Sequence, residues 1–155
     1  MEQNRGATRH AAEARVAKRQ AAEQLGIDDQ FVADLVERFY QQIRSDEQLG
    51  PIFAARVSDW TPHLDQMKRF WRSLLFSSGE YHGNPMARHL AIHELEGPHF
   101  SRWLGLFEKT LGEIATDPAR EHVMSLANAV AESLGSGIAR ARDRAAKRGE
   151  LLKDG

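Results

Sequence analysis

The sequence predicts an all-α protein with a single domain. Apolar residues recur every three or four positions over four long segments, which is the spacing of one face of an α-helix. No segment of useful length alternates apolar and polar residues as a half-buried β-strand does. The 155 residues suffice for one buried core and are too few for two ordinary domains. We therefore expect about four main helices and several short ones.

The first core helix follows a polar N-terminal segment. Residues 1–26 are rich in Ala, Gln, Glu, Lys and Arg, so they predict a peripheral helix or a frayed extension. Asp28 or Asp29 can then cap the first core helix. Its apolar face consists of Phe31, Val32, Leu35, Val36, Phe39, Tyr40 and Ile43. We expect this helix to stop near a turn at 49–51, which reads Leu-Gly-Pro.

The later helices are separated by glycine and proline. Asp59 or Thr61 can cap the second main helix. A loop at 77–85 (SSGEYHGNP) then leads to a short helix at 86–92. The Glu-Gly-Pro sequence at 96–98 is predicted to turn the chain into the third main helix.

The last helix is predicted to begin at Asp117 and to end in a charged tail. Residues 141–155 contain a run of Arg, Lys, Asp and Glu, so we expect them to be solvated or frayed. The predicted domain therefore covers residues 27–140, between the N-terminal segment 1–26 and this tail.

Composition argues against several classes of function. Lys and Arg total 21 against 22 acidic residues, so no basic field favours nucleic acid as a partner. Cysteine is absent, so a metal ion would have to be held by His, Asp, Glu or a cofactor. No apolar stretch resembles a membrane anchor or the core of a signal peptide. We therefore expect a cytoplasmic protein without a membrane anchor.

Two of the seven histidines have a spacing that predicts metal binding. His89 and His93 are four residues apart, which places both imidazoles on one face of a helix. This spacing predicts a non-haem metal enzyme, although the nearby Glu94 and Glu96 precede a turn that draws them off that face. Alternatively, His89 alone binds an iron that arrives inside a porphyrin. A third interpretation is a helical interaction module without a cofactor, in which the histidines have no special role.

A porphyrin site would also need polar donors beside an apolar slot. Tyr40, His63 and Trp103 are such donors, each at or beside the apolar stripe of a different long helix. Helical spacing alone favours the interpretation of Tyr40 and Trp103 as ordinary core aromatics whose polar atoms bond to backbone carbonyl groups. The other histidines are interpreted as surface or loop residues; they are His10, His82, His93, His99 and His122.

Four blocks of the sequence, in this order, resemble a truncated haemoglobin of the third group. They are ERFYQQIRSDEQLGPIF (37–53), DWTPHLDQMKRFWRSLLF (59–76), GEYHGNPMARHL (79–90) and HFSRWLGLFEKTL (99–111). The resemblance is specific over residues 29–115 and looser along the last helix. It implies a truncated globin fold, a two-over-two α-helical sandwich around haem b (iron protoporphyrin IX).

The resemblance also implies roles for individual residues. His89 would be the proximal iron ligand, Tyr40 the main distal donor and Trp103 a second donor, with His63 as the distal histidine near the haem edge. The apolar walls would come from Phe39, Met67, Phe70, Trp71, Met86 and Phe107. Arg88, next to His89 in sequence, is placed to approach a haem propionate. Gln66 departs from the family, in which this position is often basic. Residue 66 therefore does not supply the propionate contact expected there.

The function implied is reversible binding of small diatomic molecules. Dioxygen, nitric oxide and carbon monoxide would be the ligands, and an unidentified reductase would be a partner. Two donors that hold dioxygen firmly would favour redox chemistry over bulk oxygen delivery. Nitric oxide dioxygenase and peroxidase-like activities are both compatible with the sequence, which indicates no separate catalytic residue.

Overall fold

The computed structural model describes the backbone of residues 2–153 and the side chains of residues 8–149. Between residues 2 and 153 the chain forms seven α-helices and no β-strand, which confirms the predicted all-α class. The helices are α1 (Glu2–Gln24), α2 (Asp29–Ser45), α3 (Leu49–Arg56), α4 (Trp60–Phe76), α5 (Pro85–Leu90), α6 (Gly97–Ile114) and α7 (Asp117–Lys153). No helix within this described range is both long and apolar enough to span a bilayer.

Two pairs of long helices make the core of the fold. Helix α2 packs against α4, α6 packs against α7, and α2 also contacts α6, so one pair lies across the other. This arrangement is the predicted two-over-two sandwich. The largest side chains buried at its centre are Phe39, Phe107, Ile27, Leu35, Ile43, Leu75 and Leu111. Burial of each such side chain stabilises the folded chain by roughly 1.5–3 kcal/mol.

Helix α2 begins where the sequence placed its cap. The Asp28 carboxylate accepts a hydrogen bond from the Phe31 backbone N–H at 2.8 Å, so Asp28 is the N-cap and Asp29 the first helical residue. The whole predicted apolar face of this helix is buried. Helix α2 therefore presents Tyr40 to the interior with its side chain 6% exposed.

The predicted turn at 49–51 is wrong, because these residues begin helix α3. The Asp46 carboxylate caps that helix by accepting hydrogen bonds from the backbone N–H groups of Gln48 and Leu49, at 3.1 and 2.9 Å. Pro51 is tolerated because N–H groups in a first helical turn have no partner within the helix. Sequence reasoning took the Gly-Pro pair as a breaker and overlooked the capping carboxylate three residues earlier.

Gly50 is required by the close approach of α3 to the end of α2. A Cβ atom at this position would lie 2.9 Å from the Arg44 carbonyl oxygen, which is backbone and cannot rotate away. We expect Gly50→Ala to lower the free energy of unfolding by about 1–3 kcal/mol, as other overpacked sites do. The matched control is Gly112→Ala in α6, where a Cβ would meet nothing within 4 Å. That change should stabilise the helix by about 0.5–1 kcal/mol in urea denaturation, and equal effects of the two changes would contradict this account.

Asp46 also joins the α2–α3 corner to helix α6. Its side chain is 6% exposed and pairs with Arg102, whose Nη2 lies 2.7 Å from Oδ1. The hydrogen bond from Arg102, followed by those from the Leu49 and Gln48 N–H groups, lowers the pKa of Asp46 to about 2. The corner that leads to α3 is therefore fixed to α6 by a charge-assisted contact.

This lowered pKa predicts a pH-dependent contribution to stability. Since the folded pKa of Asp46 lies below its unfolded value of about 3.9, the contribution is fully present above that value and is lost as pH falls towards about 2. We expect Asp46→Asn to remove on the order of 1–2 kcal/mol near neutral pH and little near pH 2. Urea denaturation of both proteins across this range measures the difference, and a difference independent of pH would contradict the prediction.

The segment between α4 and α5 is a loop, as predicted. Ser77 ends α4 in the left-handed conformation, and the Arg72 guanidinium holds Glu80 through two hydrogen bonds of 2.9 Å each. Asn84 then caps α5 by accepting from the Ala87 N–H. The loop is thereby anchored at both ends, which fixes where α5 begins.

The two terminal helices extend beyond the sandwich. Helix α1 covers most of the predicted segment 1–26 and packs on α4, with Ala22 buried. Helix α7 continues without a break through residue 140, where the sequence predicted a boundary, and its residues from Arg142 to Gly149 are exposed. The division into an extension, a domain at 27–140 and a tail stays a prediction. Residues 1, 154 and 155 of the predicted end segments lie outside the described residues.

Candidate functional site

A mainly apolar cavity of about 420 Å³ lies inside the sandwich. Helices α2 to α7 and the loops on either side of α5 all contribute to its wall. The site residues predicted from the sequence that line it are Tyr40, His63, Met67, Phe70, Trp71, Arg88, His89 and Trp103. A cavity of this size and polarity is typical of a site for a cofactor or small molecule.

His89 lies in helix α5, with one ring nitrogen already engaged. Its Nδ1 is 2.6 Å from the carbonyl oxygen of Pro85. Because a carbonyl oxygen can only accept, Nδ1 must be the protonated nitrogen of the ring. In the neutral imidazole this leaves the Nε2 lone pair free for a metal ion, and the hydrogen bond to Pro85 fixes the orientation of the ring.

Tyr40 contributes a protonated hydroxyl group to the same cavity. Its ring packs edge to face on His63, with 5.2 Å between the ring centroids. Within the described part of the chain, no group accepts a hydrogen bond from the hydroxyl. Burial raises the pKa of Tyr40, with a smaller contribution from Tyr81. The hydroxyl therefore remains a donor at any physiological pH.

His63 has a buried nitrogen atom without a partner. Its Nε2 makes no hydrogen bond to any of the residues that the structure describes. Burial and the positive charge of Arg88 lower the pKa of His63, so the ring is neutral at pH 7. A buried polar atom left unsatisfied costs about 1–3 kcal/mol. A ligand or water that reaches Nε2 would recover part of this cost.

Trp103 lines the cavity and is part of a stack of aromatic rings. Phe107 stands between Trp103 and Trp71, with centroid distances of 5.2 and 4.9 Å and nearly parallel planes. Phe39 packs edge to face against both Trp103 and Phe107. The stack holds the indole of Trp103 in place, and its N–H has no acceptor among the described residues.

Three of the residues predicted for the apolar walls are not among those lining the cavity. Phe39 and Phe107 are buried and pack against Trp103, which lines the cavity, and Phe107 also stacks on Trp71. Met86 instead packs against Gly137 of α7, whose missing side chain leaves room for the thioether. The resemblance assigned these three residues to the walls around a haem, and that role stays a prediction.

Two arginines lie at the rim of the cavity. Arg88 is exposed and makes no ion pair with any described residue, whereas Arg56 is bonded to Glu94 at 2.8 Å. Sequence reasoning named Arg88 and missed Arg56, although the arginine follows the recognised LGPIF sequence by only three residues. The Arg88 guanidinium is available to an acidic group at the edge of a ligand, whereas Arg56 would have to leave Glu94 to reach one.

His99 and Tyr81 also line the cavity, and neither was predicted to do so. His99 was interpreted as a surface or loop residue; it is in the first turn of α6, where its Nδ1 accepts a hydrogen bond from the Glu96 N–H at 3.0 Å. Sequence reasoning missed this capping box because it usually has Glu or Gln at that position, and here the residue is histidine. The Tyr81 ring packs on Phe70 and its hydroxyl lies against Gly83.

The geometry does not favour the alternative metal site. Helix α5 ends at Leu90, so His93 lies beyond it and is exposed rather than one turn above His89. Across the residues whose positions the structure describes, no group of three or more His, Asp or Glu side chains is arranged to hold a metal ion. A bare metal ion would therefore have too few protein ligands at His89.

The residues present fit a haem. One imidazole has its Nε2 lone pair free, the cavity wall is mainly apolar, and the same cavity contains a hydroxyl, an indole N–H and an unsatisfied imidazole nitrogen. Two arginines at the rim suit the propionates. A two-over-two helical sandwich with such a cavity has the architecture of a globin.

Comparisons with known proteins agree with this class. The model of the Bacterial-like globin family matches residues 21–135. The chain is 33% identical over 109 residues to the group 3 truncated hemoglobin ctb of Campylobacter jejuni, covering 68% of this chain and 86% of that protein. The crystal structure of group III truncated hemoglobin from Campylobacter jejuni matches with a TM-score of 0.69 and 30% identity, over 72% of this chain and 91% of the other. The group II truncated hemoglobin from Bacillus anthracis matches with a TM-score of 0.61 and 27% identity, over 73% and 93%.

The chain belongs to the bacterial-like globin family, as a haem-binding globin of the truncated class and similar to its third group. The resemblance inferred from the four sequence blocks is confirmed. Members of this family bind small gaseous ligands through their haem.

Proposed function

We propose that the chain binds haem b in this cavity, holds dioxygen or another diatomic ligand there, and serves redox chemistry of that ligand rather than bulk oxygen delivery. The observation that supports this most is the hydrogen bond from His89 Nδ1 to Pro85, which leaves Nε2 as the metal-binding atom. The haem iron, when bound, supplies the open coordination site and the change of oxidation state.

His89 would act as the proximal ligand. The Pro85 carbonyl keeps the ring in one tautomer and one orientation, with the Nε2 lone pair free to bind iron. Met67, Phe70 and Trp71 would cover the porphyrin faces and exclude water. Phe39, Phe107 and Met86 would act from behind, by holding the wall residues and helix α5 in position.

Tyr40 and Trp103 would donate hydrogen bonds to the diatomic ligand. Both side chains are held by aromatic neighbours, so their donors are oriented before the ligand arrives. In a water-excluded cavity, such donors stabilise developing negative charge more strongly than exposed donors would. A ligand held in this way leaves slowly, which suits chemical conversion better than delivery.

His63 would control the edge of the distal side. Its neutral ring can accept at one nitrogen and donate from the other, and its unsatisfied Nε2 is available to a ligand or a water molecule. Arg88, whose charge already acts on His63, would bind a haem propionate. A propionate at that place would reduce the field of Arg88 on the ring.

Redox chemistry of the ligand requires a supply of electrons. A reductase of unidentified class would supply these electrons to the bound haem, and the exposed Arg88 side of the cavity is where the haem edge would approach the surface. Nitric oxide dioxygenation and peroxide reduction are both compatible with the same donors. Consumption of each substrate by the reduced protein would distinguish the two activities.

An absorption spectrum of the purified full chain, supplied with haem, tests the proposal. We expect a Soret band at one haem per chain that shifts when the protein is reduced and exposed to carbon monoxide. A folded protein that stays colourless would overturn the proposal in favour of an interaction module. Stoichiometric metal without porphyrin would overturn it in favour of the His89–His93 metal site.

A further inference from the structure

An arginine of helix α7 binds the loop that follows His89. Arg142 Nη2 donates hydrogen bonds to the carbonyl oxygens of Ile92 and His93, each at 3.2 Å, and Nη1 donates to the carbonyl oxygen of Leu95. These three carbonyl groups belong to the short segment 91–96 between α5 and α6. A single guanidinium therefore binds three of the six carbonyl groups of the loop, using the planar set of N–H donors that distinguishes arginine from lysine.

This loop is connected to His89 by its own backbone. The Ile92 N–H donates to the His89 carbonyl oxygen at 3.0 Å, and the Leu95 N–H donates to the Ile92 carbonyl oxygen at 3.3 Å. The Ile92 carbonyl that receives Arg142 thus belongs to the residue that is bonded back to His89. Displacement of the loop would move the C-terminal end of α5 with it.

Helix α5 depends on neighbouring elements for its position. It has six residues, and none of them, all within the described part of the chain, is fully buried. Helices this short are not stable by themselves, so their position depends on tertiary contacts. Helix α5 packs on α7, where Met86 enters the space above Gly137. Helix α7 therefore contacts α5 on one side of His89 and, through Arg142, the loop on the other.

Arg142 is itself well placed on α7. Leu134 lines the cavity, Ile138 is 3% exposed, and Arg142 continues the same face at intervals of four residues. The sequence assigned residue 142 to a solvated tail, because a run of arginines and lysines usually faces water. In the structure, Arg142 belongs to that run, but its guanidinium is held by backbone carbonyl groups.

We propose that Arg142 is a positioning residue for His89. By holding the Ile92, His93 and Leu95 carbonyls, it fixes the orientation of α5 and hence the direction of the His89 Nε2 lone pair. The inference rests on the proposed function, in which His89 is the proximal ligand. It assigns to the end of α7 control of haem retention and of the strength of the iron–histidine bond.

Three variants of the haem-loaded full chain test this role. Arg142→Gln removes both the positive charge and the guanidinium N–H donors. Arg142→Lys keeps the charge but removes the planar arrangement of those donors. Arg144→Gln is the matched control, since Arg144 is exposed on another side of the same helix and has no partner among the described residues. The measurements are hydrogen exchange of the Ile92 and Leu95 amides, the rate of haem release to an apoglobin acceptor, and the iron–histidine stretching frequency of the ferrous protein.

We expect Arg142→Gln to exchange faster at both amides, to shift the iron–histidine frequency and to release haem about 10-fold faster, as changes behind a metal-bound histidine do. Arg142→Lys should give exchange rates, a frequency and a haem release rate between those of Arg142→Gln and the parent. Arg144→Gln should give the values of the parent. An unchanged frequency and release rate in Arg142→Gln would overturn the inference, even if the loop exchanges faster. If His89→Ala also releases haem at the parent rate, the proposed function itself fails, so the two failures are distinguishable.

Discussion

Replacement of His89 by alanine is expected to abolish stable haem binding. The cavity lining also includes the imidazoles of His63 and His99. We do not expect either to replace His89, because His63 lies beside Tyr40 and His99 uses its Nδ1 to cap α6. Loss of groups that merely orient a ligating histidine costs 10–100-fold in affinity, so loss of the ligand should cost more than about 100-fold. Haem titration followed at the Soret band measures the change.

His93→Ala is the matched control for this prediction. His93 is exposed beyond the end of α5, so its variant should bind haem as the parent does. Free imidazole added to His89→Ala should restore part of the Soret band, because the small ring can occupy the space left by the side chain. Equal damage from His89→Ala and His93→Ala would contradict the assignment and favour a two-histidine metal site.

Substitution of Tyr40 by phenylalanine is expected to speed dioxygen release by about 10–100-fold. A hydrogen bond to a charged group contributes about 1.5–3 kcal/mol, and each 1.4 kcal/mol corresponds to a factor of ten. Phenylalanine retains the ring contacts with Phe39, Phe53 and His63, so only the donor is lost. Trp103→Phe should act in the same direction, and stopped-flow measurement of dioxygen release tests both.

Tyr81→Phe is the control for loss of a cavity hydroxyl. Tyr81 also lines the cavity, but its hydroxyl lies against Gly83 and its ring packs on Phe70. We expect a release rate close to that of the parent. Unchanged release in both Tyr40→Phe and Trp103→Phe would show that these donors do not hold the ligand, and would remove the argument for redox chemistry over delivery.

Local patterns predicted most of the helices because their causes are local. The Asp28 cap depends on a residue one turn away, and the buried face of α2 depends on apolar residues that recur every three or four positions. The start of α3 was missed because a carboxylate at Asp46 outweighs the helix-breaking tendency of Gly50 and Pro51. The Asp46 carboxylate that caps α3 is also paired with Arg102. Because Arg102 is far away in sequence, no local pattern predicts this pair.

The site was predicted in part for a similar reason. Recognition of the family identified His89, Tyr40 and Trp103, all of which line the cavity. Depth within the cavity wall depends on how three helices pack, so no local pattern shows that Phe107 is buried between Trp71 and Trp103. Arg142 acts across about fifty residues of sequence on backbone carbonyls, which have no sequence signature at all.

A crystal structure of the full chain with haem bound tests the central claim most directly. We expect the His89 Nε2 to be the one protein atom bonded to iron, with Nδ1 still donating to the Pro85 carbonyl. The Tyr40 hydroxyl and the Trp103 indole should lie on the opposite face of the porphyrin, within hydrogen-bonding distance of a diatomic ligand. An iron bonded to His63, His93 or His99 instead, or a haem held outside the cavity, would contradict the account.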